Sequence, residues 1–134
     1  MAKGHRSQIK KERNANNREK RPHAVHKYAR ISDRKARIVL EQIKGKDVAQ
    51  ALGILKYSPR YGSELIEKVL KSAIANAEHN PEHGDLDSTA LYVQEVIANQ
   101  GPTFKRMQPR ARGMGYPIKK RTSHITVILN ERKA

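Results

Sequence analysis

Gly101-Pro102-Thr103-Phe104-Lys105-Arg106-Met107-Gln108-Pro109-Arg110-Ala111-Arg112-Gly113-Met114-Gly115-Tyr116-Pro117-Ile118-Lys119-Lys120-Arg121-Thr122 runs between two segments that alternate apolar and polar residues. Before it, Leu91, Val93 and Ile97 fall on one strand face, with Tyr92, Val96 and Ala98 opposite. After it, Ile125, Val127 and Leu129 alternate with Thr126, Ile128 and Asn130. A period of two marks a β-strand. If the two strands pair antiparallel, the intervening segment at about 100–122 is an extended hairpin projecting beyond the core. One leg of roughly ten residues at about 3.3 Å each reaches about 30 Å. Such a two-stranded ribbon has no core of its own and is marginal in water. Its side chains are mostly Lys, Arg and small residues, so no hydrophobic partner supports it. Phosphates supply the missing stabilisation, because the planar arginine fork holds two phosphate oxygens. At the tip, Arg110-Ala111-Arg112-Gly113-Met114-Gly115 joins cations to glycines that permit a tight turn and close backbone approach.

Charge is distributed in the same sense. The 134 residues carry a formal net charge of +15. Residues 1–37 hold 13 Lys and Arg against Glu12, Glu19 and Asp33, a balance of +10. Residues 38–98 are slightly acidic at −3, and residues 99–134 return to +8. No Asp or Glu stands between Glu95 and Glu131, so the seven cations from Lys105 to Arg121 have no counter-charge nearby in the sequence. A short charge run is ordinarily a solvated face; one of this length points to a polyanion. Nucleic acid is favoured over a membrane, since no apolar run approaches the length that spans a bilayer. The N-terminus lacks the apolar centre of a signal peptide, and the absence of cysteine fits a cytoplasmic address. With one Phe and no Trp, base-stacking platforms are not expected to be the main binding device.

Residues 1–23 form a basic arm, Asn-rich and poor in apolar residues, expected to be disordered without RNA. Residues 24–134 read as a single α+β domain. Ser32 marks an N-cap, and Ala36, Val39, Leu40 and Ile43 share a helix face until Gly45 stops it. Asp47 precedes a second helix with Val48, Ala51, Leu52 and Leu55. Ser58-Pro59 signals a third, with proline at its first position and Leu65, Ile66, Val69, Leu70, Ala73, Ile74 and Ala77 as its stripe, ending near Asn80-Pro81. An acidic loop over residues 81–88 follows, and Val25 to Ala29 supplies a short third strand. Three helices packed on a small three-stranded antiparallel sheet are therefore expected.

No catalytic constellation emerges. His79 and His83 have i,i+4 spacing, but Pro81 interrupts them, and such a pair at a helix end is more often solvated than metal-bound. His124 has no acid nearby in the C-terminal segment to orient it. The glycines around Gly113 precede no helix, so they make no phosphate-cradling loop. No enzyme activity, metal or cofactor is expected. A DNA-bending protein with a basic β-ribbon arm is the alternative, with Pro109 or Met114 as the inserted wedge. Charge on both termini as well as the ribbon suits an irregular RNA surface better than one groove.

Several motifs resemble the bacterial type of the large-subunit ribosomal protein twenty-two family. They are Tyr28-Ala29-Arg30-Ile31-Ser32, Lys35-Ala36-Arg37, Gly45-Lys46, Ser72-Ala73-Ile74-Ala75-Asn76-Ala77-Glu78, Lys105-Arg106, Pro109-Arg110-Ala111-Arg112-Gly113 and Ile118-Lys119-Lys120-Arg121-Thr122-Ser123-His124-Ile125-Thr126-Val127. The resemblance covers about residues 24–132. It implies a structural role in the cytoplasmic large ribosomal subunit, supporting subunit assembly, with 23S rRNA, neighbouring ribosomal proteins and the nascent polypeptide as partners. It implies a globular part near the peptide exit and a hairpin lining the exit tunnel. The expected RNA-binding set is Lys27, Arg30, Arg34, Lys35, Arg37, Lys105, Arg106, Arg110, Arg112, Lys119, Lys120, Arg121 and His124. The expected tunnel tip is Arg110, Ala111, Arg112, Gly113, Met114, Gly115 and Tyr116, near which macrolide antibiotics bind in this family. Residues 1–23 depart from its shorter members, so no role is transferred to them.

Overall fold

The computed structural model describes residues 3–16, 21–79, 86 and 88–132. Helix α1 (Lys3–Asn16) precedes β1 (His23–Ala29), α2 (Asp33–Ile43), α3 (Val48–Tyr57) and α4 (Tyr61–His79). A single 3-10 turn leads into β2 (Leu91–Gln100), then β3 (Phe104–Pro109), a second 3-10 turn at the tip, β4 (Gly115–Lys120) and β5 (Ser123–Glu131). β5 is the central strand of a three-stranded sheet ordered β1-β5-β2, antiparallel throughout, and α2, α3 and α4 pack on it.

Each helix is placed by its apolar stripe. Ala36, Val39, Leu40 and Ile43 of α2 are buried, matching the i, i+3, i+4, i+7 spacing. Ser32 has the extended backbone of an N-cap, but its side chain makes no capping bond. Asp33 in the first turn faces the positive end of the helix dipole. Gly45, at φ 76°, ends the helix in the left-handed conformation that glycine adopts without penalty. Its N–H donates to the Val93 carbonyl at 2.7 Å, and the Val93 N–H donates to Lys46 at 2.9 Å. These two bonds tie the end of α2 to β2. The third packed helix starts at Tyr61, two residues after the proline expected to open it. The Ser58 N–H is already committed to the Ile54 carbonyl as the last bond of α3, so Pro59 and Arg60 are the link between helices. Asn76 then fastens α4 to the sheet, its Nδ2 donating to the His23 carbonyl at 2.9 Å.

Leu40, Ile43, Leu55, Ile66, Leu70, Leu91, Val93, Ile125, Val127 and Leu129 form the buried centre. Burying each such side chain is worth about 1.5–3 kcal/mol, so this cluster dominates the stability of the domain. One detail of β2 differs from its sequence reading. Val93 pairs with Leu129 and Glu95 with Ile128, leaving Gln94 as an extra residue in a β-bulge. The bulge exchanges the faces beyond it. Ala98 is buried and Val96 packs on the core, whereas Ile97 is displaced to the other side. Ile128, on the outer face of β5, is nonetheless buried. Arg21 reaches from the β1 side to the Glu95 carboxylate at 3.5 Å, across the position of Ile128.

The N-terminal arm contains α1 where no local structure was expected. Its side chains from Ser7 to Asn16 are exposed, so no packed face supports that part of it. A lone helix of this length is marginal in water.

Candidate nucleic-acid interface

The junction between sheet and ribbon is built from small residues. The Gly101 N–H donates to the Thr122 carbonyl at 2.8 Å, and the Thr122 hydroxyl donates to the Pro102 carbonyl at 2.6 Å. A methyl group on Gly101 would lie 2.5 Å from Thr122 Oγ1, so only glycine fits this close approach. Thr122 and Ser123 are buried here, and beyond them the chain leaves the core. β3 and β4 consequently form a sheet of their own rather than a continuation of β2 and β5.

Every residue of β3 and β4 is exposed. Cross-strand partners point to one side, so Phe104, Arg106, Gln108, Tyr116, Ile118 and Lys120 share a face. The other face carries Lys105, Met107, Pro109, Gly115, Pro117 and Lys119. Lys105 and Lys119 are direct cross-strand partners, a like-charge pair that weakens a ladder in water. Among the described residues, no hairpin cation pairs with a carboxylate.

The turn is closed by the Arg110 N–H donating to Met114 at 2.7 Å. Arg112 is left-handed at φ 60°, ψ 33°, followed by Gly113 at φ 69°. A left-handed arginine costs about 1–2 kcal/mol, and it points outward in a segment with no buried residue. Arg110 lies 5.4 Å over the Tyr116 ring, which holds its guanidinium beside the strand. Gly115 leaves room for Met107, whose sulfur would lie 2.8 Å from an added methyl. The tip residues expected from sequence, 110–116, thus form one exposed cationic turn.

The basic residues of the globular part divide into two groups. Lys27, Arg30, Arg34 and Lys35 are exposed. Arg30 stacks on Phe104 at 4.6 Å, joining the body to the first residue of the ribbon. Arg37 instead donates to the Ala98 carbonyl at 3.1 Å and pairs with Asp33 at 3.5 Å, which fastens α2 to β2. His124 also has an internal task. Its Nδ1 accepts the Tyr28 N–H at 3.0 Å while the Tyr28 ring meets it edge-on at 4.8 Å. Tyr28 is left-handed at φ 59° beside an irregularity in the β1–β5 pairing, so the histidine stabilises an unusual backbone turn. Its neutral tautomer leaves only the Nε2–H to reach outward.

A groove of about 860 Å³ lies where α2, α4 and the root of β4 meet. It gathers Arg30 and Lys35 with Lys119, Lys120 and Arg121, which are distant in sequence. It also recruits Arg60 and Tyr61, which sequence reasoning passed over. Their signal was an arginine and a tyrosine at a helix start, in a chain with only six aromatic residues of the Phe and Tyr types. His79 lies at the end of α4, whereas His83 falls outside the described residues, as does most of the acidic loop over 81–88. Among the described residues no cluster of His, Asp and Glu could hold a metal, and no helix is long and apolar enough to cross a membrane.

The family model described as ribosomal protein L22p/L17e matches residues 24–130, which covers the sheet, the packed helices and the whole hairpin. The chain belongs to that family. The large ribosomal subunit protein uL22 of Lachnoclostridium phytofermentans is 59% identical over 132 residues, 98% of this chain and all of the relative. That of Lachnospira eligens is 58% identical over the same length. In Lacticaseibacillus casei the match is 58% over 111 residues, 83% of this chain and 92% of the relative. The first two alignments are long enough to include most of the N-terminal arm. Members of the L22p/L17e family are ribosomal structural proteins, not enzymes, and the DNA-bending alternative is set aside.

Proposed function

We propose that the chain is a structural constituent of the large ribosomal subunit in the cytoplasm, binding 23S rRNA, supporting subunit assembly and lining the polypeptide exit tunnel with its hairpin. The single observation that carries this reading is the exposed ribbon in which Lys105 opposes Lys119 with no carboxylate among the described residues to separate them. Such a ribbon is consistent with insertion among phosphates, where opposed cations become an asset. Arg106, Lys120 and Arg121 take the same part along the legs, and Lys27, Arg30, Arg34 and Lys35 extend it over the body. Arg110 to Tyr116 form the tunnel tip, facing the nascent chain and lying near where macrolide antibiotics bind. Arg37 and His124 contribute chiefly by shaping the surface, given their internal bonds. Residues 1–23 order on RNA as a basic arm, and residues 24–134 act as one domain.

Crosslinking the full chain to RNA in cells and sequencing the attached fragments tests the assignment. Attachment to 23S rRNA is expected, with the hairpin and the body at separate sites. Recovery of bent duplex DNA would contradict it.

A further inference from the structure

We infer that the groove between α2, α4 and the root of β4 is a pocket for a single unstacked RNA nucleotide, its base on the apolar floor and its flanking phosphates on the rim. The inference rests on the RNA-binding reading and specifies how one part of the surface performs it. The floor is apolar: Ile38 is 45% exposed and Tyr61 61% exposed, although both lie on helices that otherwise bury such side chains. Val39 and Ile31 continue that floor inward. Gly62 lets α4 lie close over this floor: a methyl there would stand 2.9 Å from Ile31 Cδ1, and the Ile31 side chain would have to turn aside. The rim is cationic. Arg30, Lys35, Arg60 and Lys120 surround the floor, and among the described residues no acidic side chain lines the groove.

The charge pattern selects the occupant. An apolar side chain of a neighbouring protein would be satisfied by the floor and would leave the cations unmatched. A paired RNA helix would satisfy the cations and leave the floor exposed. A nucleotide splayed from its strand offers both an aromatic face and a phosphate on either side. Arg30 is prepared for the role, since its guanidinium lies over the Phe104 ring at 4.6 Å and is held at the rim. Tyr61 offers an exposed ring of the kind on which bases stack. The pocket therefore adds a base-reading element to an interface otherwise made of phosphate contacts, in a chain whose composition argued against stacking as the principal device.

The test uses the full chain and deproteinised 23S rRNA, with equilibrium binding at several salt concentrations and base-reactivity footprinting. Tyr61→Ala is expected to weaken binding about 5- to 150-fold, with an unchanged salt slope and renewed reactivity at one unpaired nucleotide. Tyr61→Phe should bind as the parent does. Lys120→Ala should lower the salt slope by about one without exposing that base. Thermal melts of each variant confirm an intact fold, as expected for side chains this exposed. Parent-like affinity and footprint for Tyr61→Ala would overturn the inference while leaving rRNA binding intact. So would a photoreactive residue at position 61 that, in assembled subunits, attaches to a neighbouring protein instead of a base. Failure of the parent chain to bind 23S rRNA would overturn the underlying reading and the inference together.

Discussion

Lys105 and Lys119 stand directly opposite each other across the β3–β4 ribbon, on the face that also carries Met107 and Pro117. Cross-strand pairs contribute roughly 0.2–1 kcal/mol to a sheet, with the sign reversed for like charges. Lys119→Glu should therefore steady the ribbon in the free protein by about that amount while weakening its binding to 23S rRNA. The opposite signs matter, because a merely structural lysine pair would move both readouts together. Backbone relaxation of the free chain and an rRNA binding isotherm measure the two effects.

The Gly101–Thr122 junction makes a second prediction. Gly101→Ala places a methyl against Thr122 Oγ1 and the backbone behind it, an overpacking that costs about 1–3 kcal/mol. Because Thr122 and Ser123 are buried, the cost should appear in the denaturant midpoint of the whole domain. Gly113→Ala strains the tip turn, where φ is 69°, but should leave the midpoint of the domain nearly unchanged, since that turn buries nothing against the core. Equal shifts for the two variants would contradict the division into a core sheet and a separate ribbon.

The bulge at Gln94 provides a third. Val96→Ala should cost about 1 kcal/mol through lost burial, more than Ile97→Ala despite the larger side chain removed in the latter. Uninterrupted alternation from Leu91 requires the reverse order. Urea denaturation of both variants decides it.

That comparison also marks where the sequence stops being legible. The helices announced themselves because Ala36, Val39, Leu40 and Ile43, or Ile66, Val69, Leu70 and Ala73, repeat at the helical period. The hairpin was legible because two alternating segments bracket a basic run. A bulge inserts one residue into a period of two, and nothing local to Gln94 announces it. The start of α4 was misplaced because Pro59 looks like a first helical residue until the Ser58 N–H is found bonded to Ile54. Of the candidate site, the ribbon cations could be named from their isolation. Arg37 and His124 look the same in sequence as free polar residues; only the fold reveals the Ala98 carbonyl and the Tyr28 N–H beside them. The groove was invisible for a simpler reason. Its walls come from segments near residues 30, 60 and 120, and no local pattern relates them.

Reversing charge at the tip should separate folding from function. Arg110→Glu combined with Arg112→Glu changes two exposed side chains of a turn that buries nothing, so the stability of the domain should shift by less than about 0.5 kcal/mol. Large-subunit assembly in cells expressing only this variant should slow or yield particles with altered reactivity along the tunnel wall. Normal sedimentation profiles with an unaltered tunnel would count against the tip's assignment.

The most direct test is amide hydrogen exchange over residues 104–120, measured on the purified chain at moderate ionic strength and again on its complex with 23S rRNA. The ribbon is expected to exchange nearly freely alone, while β2 and β5 stay protected, and to become protected when phosphates surround it. Strong protection of those amides in the nucleic-acid-free protein would contradict the account, because it would mean the ribbon holds its shape without them.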